Sequence, residues 1–278
     1  MAHEFDPGYN RYPFKRLVRD YPGEETYPSK DFRTEWGPIF HRGRLDGSAR
    51  VLVLGQDPSS HESIARRILV GEAGQRTQGF LAKLGIVSSY VMINTFLYSV
   101  YGQGGGERHR DDPAIAGYRN EWLDALLVGR PVEAVVALGS LAEGAFLGWK
   151  ETPAGQASDA VFRRIIHPTF PEGQRSVPRA EATKAMLENW NEGVTALRPA
   201  IEHPDVVQPT DLYGEAFDKA TDLAPIPERD LPAGLPDWMR SLMSWAARAP
   251  VHSGNPTDEK RATVVVRVPT ADRHWLQP

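Results

Sequence analysis

The chain has no cysteine among its 278 residues. That excludes a disulfide framework, a thiol nucleophile and a cysteine-bound iron-sulfur cluster, and a reducing cytosol is the expected location. Long apolar runs are missing as well. Nothing approaches the roughly 20 apolar residues of a membrane span, and the opening MAHEFDPGYNRYPF lacks the apolar core of a signal peptide. A soluble, cytoplasmic protein with no membrane partner is the expectation. His, Asp and Glu show no metal-ligand spacing, and the glycines fit neither the dinucleotide nor the P-loop fingerprint, so no metal and no cofactor are expected. Positive charge is scarce too: the net charge is -4, against the basic footprint usual for nucleic-acid domains. The deficit is local, because residues 1–200 hold 24 Lys+Arg and 24 Asp+Glu whereas residues 201–278 hold 8 and 12. A neutral body of this kind meets polyanions through a local basic rim and helix N-termini rather than through its overall charge.

What is present, from about Val51 to Leu197, is an alternation of short apolar runs with longer helical patterns, the signature of a parallel sheet wrapped by helices. The expected strands are Val51 to Leu54, Tyr90 to Ile93, Val132 to Leu138 and Val161 to Ile166. Helical spacing marks Gly79 to Leu84, Ile115 to Leu127, Leu141 to Leu147 and Ala180 to Leu197. This is an α/β fold on a four-stranded parallel sheet. Residues 1–50 read as irregular structure and a helix packed on that sheet. Residues 201–278, rich in proline and acids, read as a C-terminal extension of unknown role that wraps the surface with flexible segments. Within it lie a short amphipathic stretch from Trp238 to Ala247 and a strand over Ala262 to Val268.

In open parallel sheets the ligand sits beyond the carboxyl ends of the strands. Those ends here carry Gly55-Gln56-Asp57-Pro58, then Asn94, then Gly139-Ser140 entering a helix, then His167-Pro168. Taken singly, each has an ordinary role: Asp before Pro in a turn, Asn capping a strand end, Gly starting a helix, His-Pro in a loop. All four strand ends bearing such residues is a different matter. A carboxylate, an amide, a phosphate-sized helix N-terminus and an imidazole converge on one edge.

These segments resemble uracil-DNA glycosylases. Gly55-Gln56-Asp57-Pro58 is similar to the opening of the GQDPYH motif, and Ile166-His167-Pro168-Thr169 to the HPS motif. Asn94-Thr95-Phe96-Leu97 resembles the NAVLTV segment with the uracil-reading asparagine, and Leu138-Gly139-Ser140-Leu141-Ala142 resembles the GSYA phosphate loop. Arg67 to Gln75 is similar to the RPFVGRAGQ segment of the iron-sulfur branch, here in a cysteine-free chain. The resemblance spans about residues 33–197.

The resemblance implies a three-layer α/β/α sandwich over residues 1–200 and a monofunctional glycosylase that hydrolyses the N-glycosidic bond of uracil in DNA, leaving an abasic site for base excision repair. Asp57 would stabilise the cationic sugar and orient water, and His167 would donate to the uracil oxygen as negative charge gathers there. Asn94 would read the Watson-Crick edge of a flipped base, with Gln56 binding the base through its backbone amide. Pro58, Gly139, Ser140 and Thr169 would line the phosphate path. The expected partner is DNA, single- or double-stranded, bound by a monomer. Three positions depart from the family pattern. Ser59 stands where a tyrosine excludes thymine, Leu69 where a phenylalanine stacks on the base, and Pro171 where a leucine wedges the stack, leaving Phe170 as the candidate wedge. The loop with Arg108, His109 and Arg110, after Gly104 to Gly106, is a candidate phosphate contact. The same motifs would also suit a non-catalytic binder of uracil-containing or abasic DNA, and a nucleotide- or flavin-binding module shares the fold class.

Overall fold

The computed structural model describes residues 8–101, 106–207, 209, 211–248 and 264–273. Its central sheet has five strands: His41–Gly43 (β1), Val51–Gly55 (β2), Tyr90–Asn94 (β3), Ala134–Leu138 (β4) and Val161–Ile165 (β5), in the order β1-β3-β2-β4-β5. Strands β2 to β5 are mutually parallel, and β1 runs antiparallel to β3, pairing Arg42 with Met92. The helices are Phe14–Arg19 (α1), Ser60–Ala65 (α2), Glu72–Lys83 (α3), Pro113–Leu127 (α4), Ser140–Lys150 (α5), Pro153–Gln156 (α6), Phe170–Gly173 (α7), Arg179–Leu197 (α8) and Trp238–Ser241 (α9). A small antiparallel pair, Ala246–Arg248 (β6) and Val264–Val266 (β7), follows.

Alternation along the central strands builds two cores. Val51, Val53, Met92, Val136 and Leu138 face α3 and α8, meeting Phe80, Leu84, Met186, Trp190 and Leu197. Leu52, Leu54, Val91, Ile93, Val135 and Ala137 face the other way, onto Phe14, Trp122, Leu126, Phe146 and Trp149 of α1, α4 and α5. Both faces of the sheet are covered, which is why the strands read as unbroken apolar runs rather than alternating ones. Each buried aliphatic or aromatic side chain stabilises this arrangement by roughly 1.5–3 kcal/mol. At the edge the pattern changes: in β5 only Ile165 is buried, and Arg163 and Arg164 are exposed. Among the described residues no helix is long and apolar enough to cross a membrane.

The sheet therefore differs from the four-stranded expectation by one antiparallel edge strand. The extra strand reads His-Arg-Gly, with none of the β-branched or aromatic residues that mark strands in sequence. Yet all three of its residues are buried. Arg42 is 0% exposed because its guanidinium donates to Asp230 Oδ2 (3.0 Å), Gln78 Oε1 (3.1 Å), the Tyr90 hydroxyl (3.1 Å) and, through Nε, the Ile68 carbonyl (3.0 Å). Helix α3 likewise begins at Glu72 rather than Gly79. Its early turns hold Gln75, Arg76, Thr77 and Gln78, all buried, so the apolar period is silent there.

The described residues beyond 200 include segments built into the body rather than laid loosely on its surface as the composition suggests. Two of their acids, Asp222 and Asp230, are counter-charges for buried cations of the body. Asp230, 3% exposed, pairs with Arg42 and Arg44 and accepts from the Tyr90 hydroxyl. Asp222 pairs with Lys83 at 2.9 Å, both buried. Asp205 Oδ2 accepts from the backbone N–H groups of Val87 (2.8 Å), Ser88 (2.7 Å) and Ser89 (2.9 Å), tying the turn before β3. Ile226, Leu231, Met239 and Trp245 close a further core on Ala65 and Val70. Of the expected strand from Ala262 to Val268, Val264–Val266 forms β7, and Ala262 lies outside the described residues. The amphipathic stretch from Trp238 splits into the one-turn α9 and the strand β6.

Asp230→Ala should lower stability by about 3–5 kcal/mol, because it strands two buried guanidinium groups. Urea unfolding measures this, and a midpoint equal to wild type would overturn the role given to Asp230.

Candidate functional site

Strands β3 and β4 flank β2 on opposite sides, so the chain changes direction across the sheet at β2 and opens a crevice beyond the ends of β2 and β4. Two glycines let the backbones close around it. Gly55 is in register with Asn94, and a Cβ there would sit 2.2 Å from Asn94 Oδ1. Gly139, at φ +89°, turns β4 into α5; a Cβ there would lie 2.9 Å from Gln56 Nε2 and 3.5 Å from His167 Cβ. The ends of three strands thus meet at Gln56, Gly139 and His167.

The cleft in front of them measures about 590 Å³. Of the residues singled out in sequence, Gln56, Asp57, Pro58, Ser59, Ser140, His167, Thr169 and Phe170 stand in its wall. Asp57 is oriented by a hydrogen bond from the Val100 backbone N–H to its Oδ2, 2.9 Å. His167 is held from the other side. The Thr169 backbone N–H donates to its Nδ1 at 3.2 Å, and Thr169 Oγ1 lies 3.1 Å from the same nitrogen. With Nδ1 accepting, the ring proton resides on Nε2. Burial pushes the imidazole pKa down to about 4, outweighing the opposing charge of Glu172, so the ring is neutral near pH 7. A fixed carboxylate and a neutral N–H donor therefore share one cleft.

Ser59 has a second task. It is the N-cap of α2 in a reciprocal capping box: its side chain accepts from the N3 backbone, and its own N–H donates to Glu62 Oε2 at 2.9 Å.

Other expected residues are placed elsewhere. Leu69 is 7% exposed and belongs to the core on the α3 face, not to the cleft wall. Its φ of +53° brings its carbonyl so close to Gly74 that a Cβ there would be 1.6 Å away. Asn94 is half-buried beside Gly55 and borders a small separate cavity with Tyr27, Tyr118 and Arg119. Gly139 spends its backbone N–H on the Ile165 carbonyl (2.9 Å) and, of the four expected phosphate contacts, it alone is missing from the cleft wall, where Pro58, Thr169 and Ser140, exposed at the start of α5, stand. Phe170, the candidate wedge, is half-buried against the core and stands in the wall as a fixed side chain.

Arg108, His109 and Arg110 do not line the cleft. Arg108 pairs with Asp31, His109 Nε2 lies 2.9 Å from Asp31 Oδ2 with its ring 5.0 Å from that of Phe32, and Arg110 pairs with Asp111 at 2.6 Å. Instead Gly106 and Glu107 reach the wall, and residues 104 and 105 lie outside the described residues. Sequence reasoning did not single out Phe96, Val100, Leu141, Glu107 or Gln174, which complete the wall. Phe96 had a signal, since it lies two positions beyond Asn94 in the same segment. Its N–H donates to the Gln56 carbonyl at 3.0 Å, and a Cβ on Gly106 would meet its ring at 2.7 Å.

Scanned against protein-family models the chain matches none, and a search of curated proteins finds no significant relative.

The buried imidazole has a pH signature. Because the folded pKa of about 4 lies below the ordinary 6.5, the unfolded chain takes up the proton first, and stability falls as pH drops from 6.5 toward 4. Replacing His167 by Gln should remove that part of the acid sensitivity. Nitrogen-15 NMR of the ring should show the Nε2–H tautomer from pH 5.5 to 8, an interval chosen above the pKa of about 4; a ring titrating near 6.5 would overturn the assignment.

Proposed function

We propose that the chain is a DNA glycosylase that hydrolyses the N-glycosidic bond of uracil and leaves an abasic site. The observation that carries this reading is the pairing of Asp57 with a neutral His167 in the wall of one cleft. Breaking the bond leaves positive charge on the sugar and negative charge on the base, so a catalyst needs opposite polarities on its two sides. Asp57, aligned by Val100, stabilises the cationic sugar and orients the attacking water. His167 donates from Nε2 to the uracil oxygen that gathers charge. A neutral donor suffices, and in a site shielded from water such a preset donor acts strongly, because little reorganisation accompanies the reaction.

The target base lies inside the stack of a duplex, so the nucleotide must be turned out into the cleft. Helical phosphate contact falls to Ser140 at the start of α5, where the first N–H groups lack intrahelical acceptors. Phe96, almost fully buried, gives the apolar wall against which a planar base packs, the part that Leu69 does not play. We further propose Gln56 as the reader of the base edge, with Asn94 set behind it against Gly55. Ser59 leaves room beside C5 of the base, so thymine in a mismatch is discriminated less by shape than it would be behind a tyrosine.

Asp57→Asn and His167→Ala should each lower the single-turnover rate of uracil release by about 10²–10³ with DNA affinity nearly unchanged. Alkaline cleavage of the abasic product measures the rate. Wild-type protein that binds uracil-containing oligonucleotides but releases no base would instead support the non-catalytic binder. Gln56→Ala should erode the preference for uracil over cytosine more than Asn94→Ala, since an unpaired polar group in a closed site costs about 1–3 kcal/mol. The reverse order, measured on matched single-stranded oligonucleotides, would return the reading role to Asn94.

A further inference from the structure

The His167-Pro168-Thr169 turn is a loop, yet its imidazole has to be held in one place to act. Its own hydrogen bonds are local: Thr169 to the ring, and the Phe170 N–H to the His167 carbonyl at 2.9 Å. Ile166, just before the turn, is held to α8, its N–H donating to Asn189 Oδ1 at 2.7 Å and its carbonyl accepting from Trp190 Nε1 at 2.8 Å, and the turn itself is tied to α3 by Arg76. Arg76 Nη1 donates to the Pro168 carbonyl at 2.5 Å. The same guanidinium grips Glu172 of α7 with two bonds, Nη1 to Oε2 at 3.0 Å and Nη2 to Oε1 at 2.9 Å, and reaches Glu72 one turn back on α3. Its side chain is only 6% exposed, and the ring of Phe217 lies 4.8 Å from its Cζ. A planar fork filling this many acceptors at once is a task that lysine cannot repeat.

We infer that Arg76 is a positioning residue for His167, clamping the 167–169 turn to α3 and neutralising Glu172 beside it. The charged groups near the imidazole are Glu172 on α7, Arg76 on α3 and Arg179 on α8, both paired with Glu172, and Asp57 and Glu107 in the cleft wall. Of these, Glu172 acts on His167 in the direction of protonation. Burial pushes the Glu172 carboxyl up, but its bonds to Arg76 prevail and hold it below the ordinary carboxylate value, so it is ionised. Without Arg76 that charge keeps only the exposed Arg179 as its partner, at 2.5 Å, and the turn loses its tie to α3. Phe217 gives the C-terminal part a share in the same device, since it covers the guanidinium from the far side.

The rate arm of the test rests on the proposed glycosylase activity, and the titration arm does not. In free Arg76→Gln protein, NMR titration of His167 should show its midpoint raised by about one pH unit or more, with the Nε2–H tautomer no longer uniform. Uracil release at neutral pH should fall about 10-fold or more while DNA affinity changes less than about threefold. Arg76→Lys should bring the midpoint back toward wild type and recover only part of the rate, because the charge returns and the fork does not. A wild-type midpoint and tautomer in Arg76→Gln would overturn the inference. If that variant does not fold, Glu172→Gln decides: removing the charge while Arg76 still holds Pro168 should keep the tautomer and leave the midpoint unchanged or lower, and a raised midpoint would overturn it. Should wild-type protein release no uracil at all, the glycosylase reading fails and the titration still settles what Arg76 does.

Discussion

A single buried carboxylate, Asp230, holds the edge of the sheet to the C-terminal part of the chain. It faces Arg42 and Arg44 of the first strand and its neighbour and the hydroxyl of Tyr90. The coupling extends further, because Arg42 also donates to the Ile68 carbonyl and to Gln78 of α3. One ionic cluster thus joins the antiparallel edge strand, the turn before α3, α3 itself and a segment 188 positions away in sequence. Charges taken out of water this far are tolerated when counter-charges and hydrogen bonds meet them, and removal of one member leaves the others uncompensated. Helix α3 is placed by this cluster at one face, and Arg76 on the same helix holds the turn that bears His167. The site therefore stands on an electrostatic framework as much as on the apolar cores.

That framework changes what the charge count means. The acidic excess of residues 201–278 suggests a tail that repels phosphate, but Asp222 and Asp230 are buried against Lys83, Arg42 and Arg44, and Asp205 is engaged by three backbone N–H groups. These three charges are met by partners within the fold, whereas Glu202, Asp211, Glu215, Asp218, Glu228 and Asp237 remain exposed. The cleft itself is lined by carboxylates and a neutral imidazole, with exposed arginines on β5 at the sheet edge. Under the proposed function, a phosphate backbone would meet a few peripheral cations and the start of α5, and binding built this way is set by local geometry more than by net charge.

The apolar strands and the residues at their ends were legible from sequence for a simple reason. A strand covered on both faces must be continuously apolar, and the first polar residue after it marks the sheet edge where ligands collect. Val51–Gly55, Tyr90–Asn94 and Ala134–Leu138 obey this, and so Asp57 and Ser140 could be named as neighbours from sequence; His167 follows the edge strand β5, of which only Ile165 is buried, and was legible from its place after a short run with strand composition. The strand β1 and the early turns of α3 could not. Their buried residues are His41, Arg42, Gln75, Arg76 and Gln78, polar side chains whose partners lie far away in sequence, and local periodicity has no means of recording a distant counter-charge.

Sequence alone carried the α/β class, the four parallel strands and the polar residues that follow them, because the burial pattern of a doubly covered strand is written locally; it did not carry the fifth strand or the order β1-β3-β2-β4-β5. The tertiary structure alone decided which neighbours complete the cleft. Leu69 went into the core and Asn94 against Gly55, while Phe96 and Glu107 came into the wall and Arg108 and His109 turned to Asp31. It also decided that the acidic C-terminal part is a structural partner of the body. Both outcomes depend on packing and ion pairing between segments far apart in the chain, and such pairings form only when the fold closes.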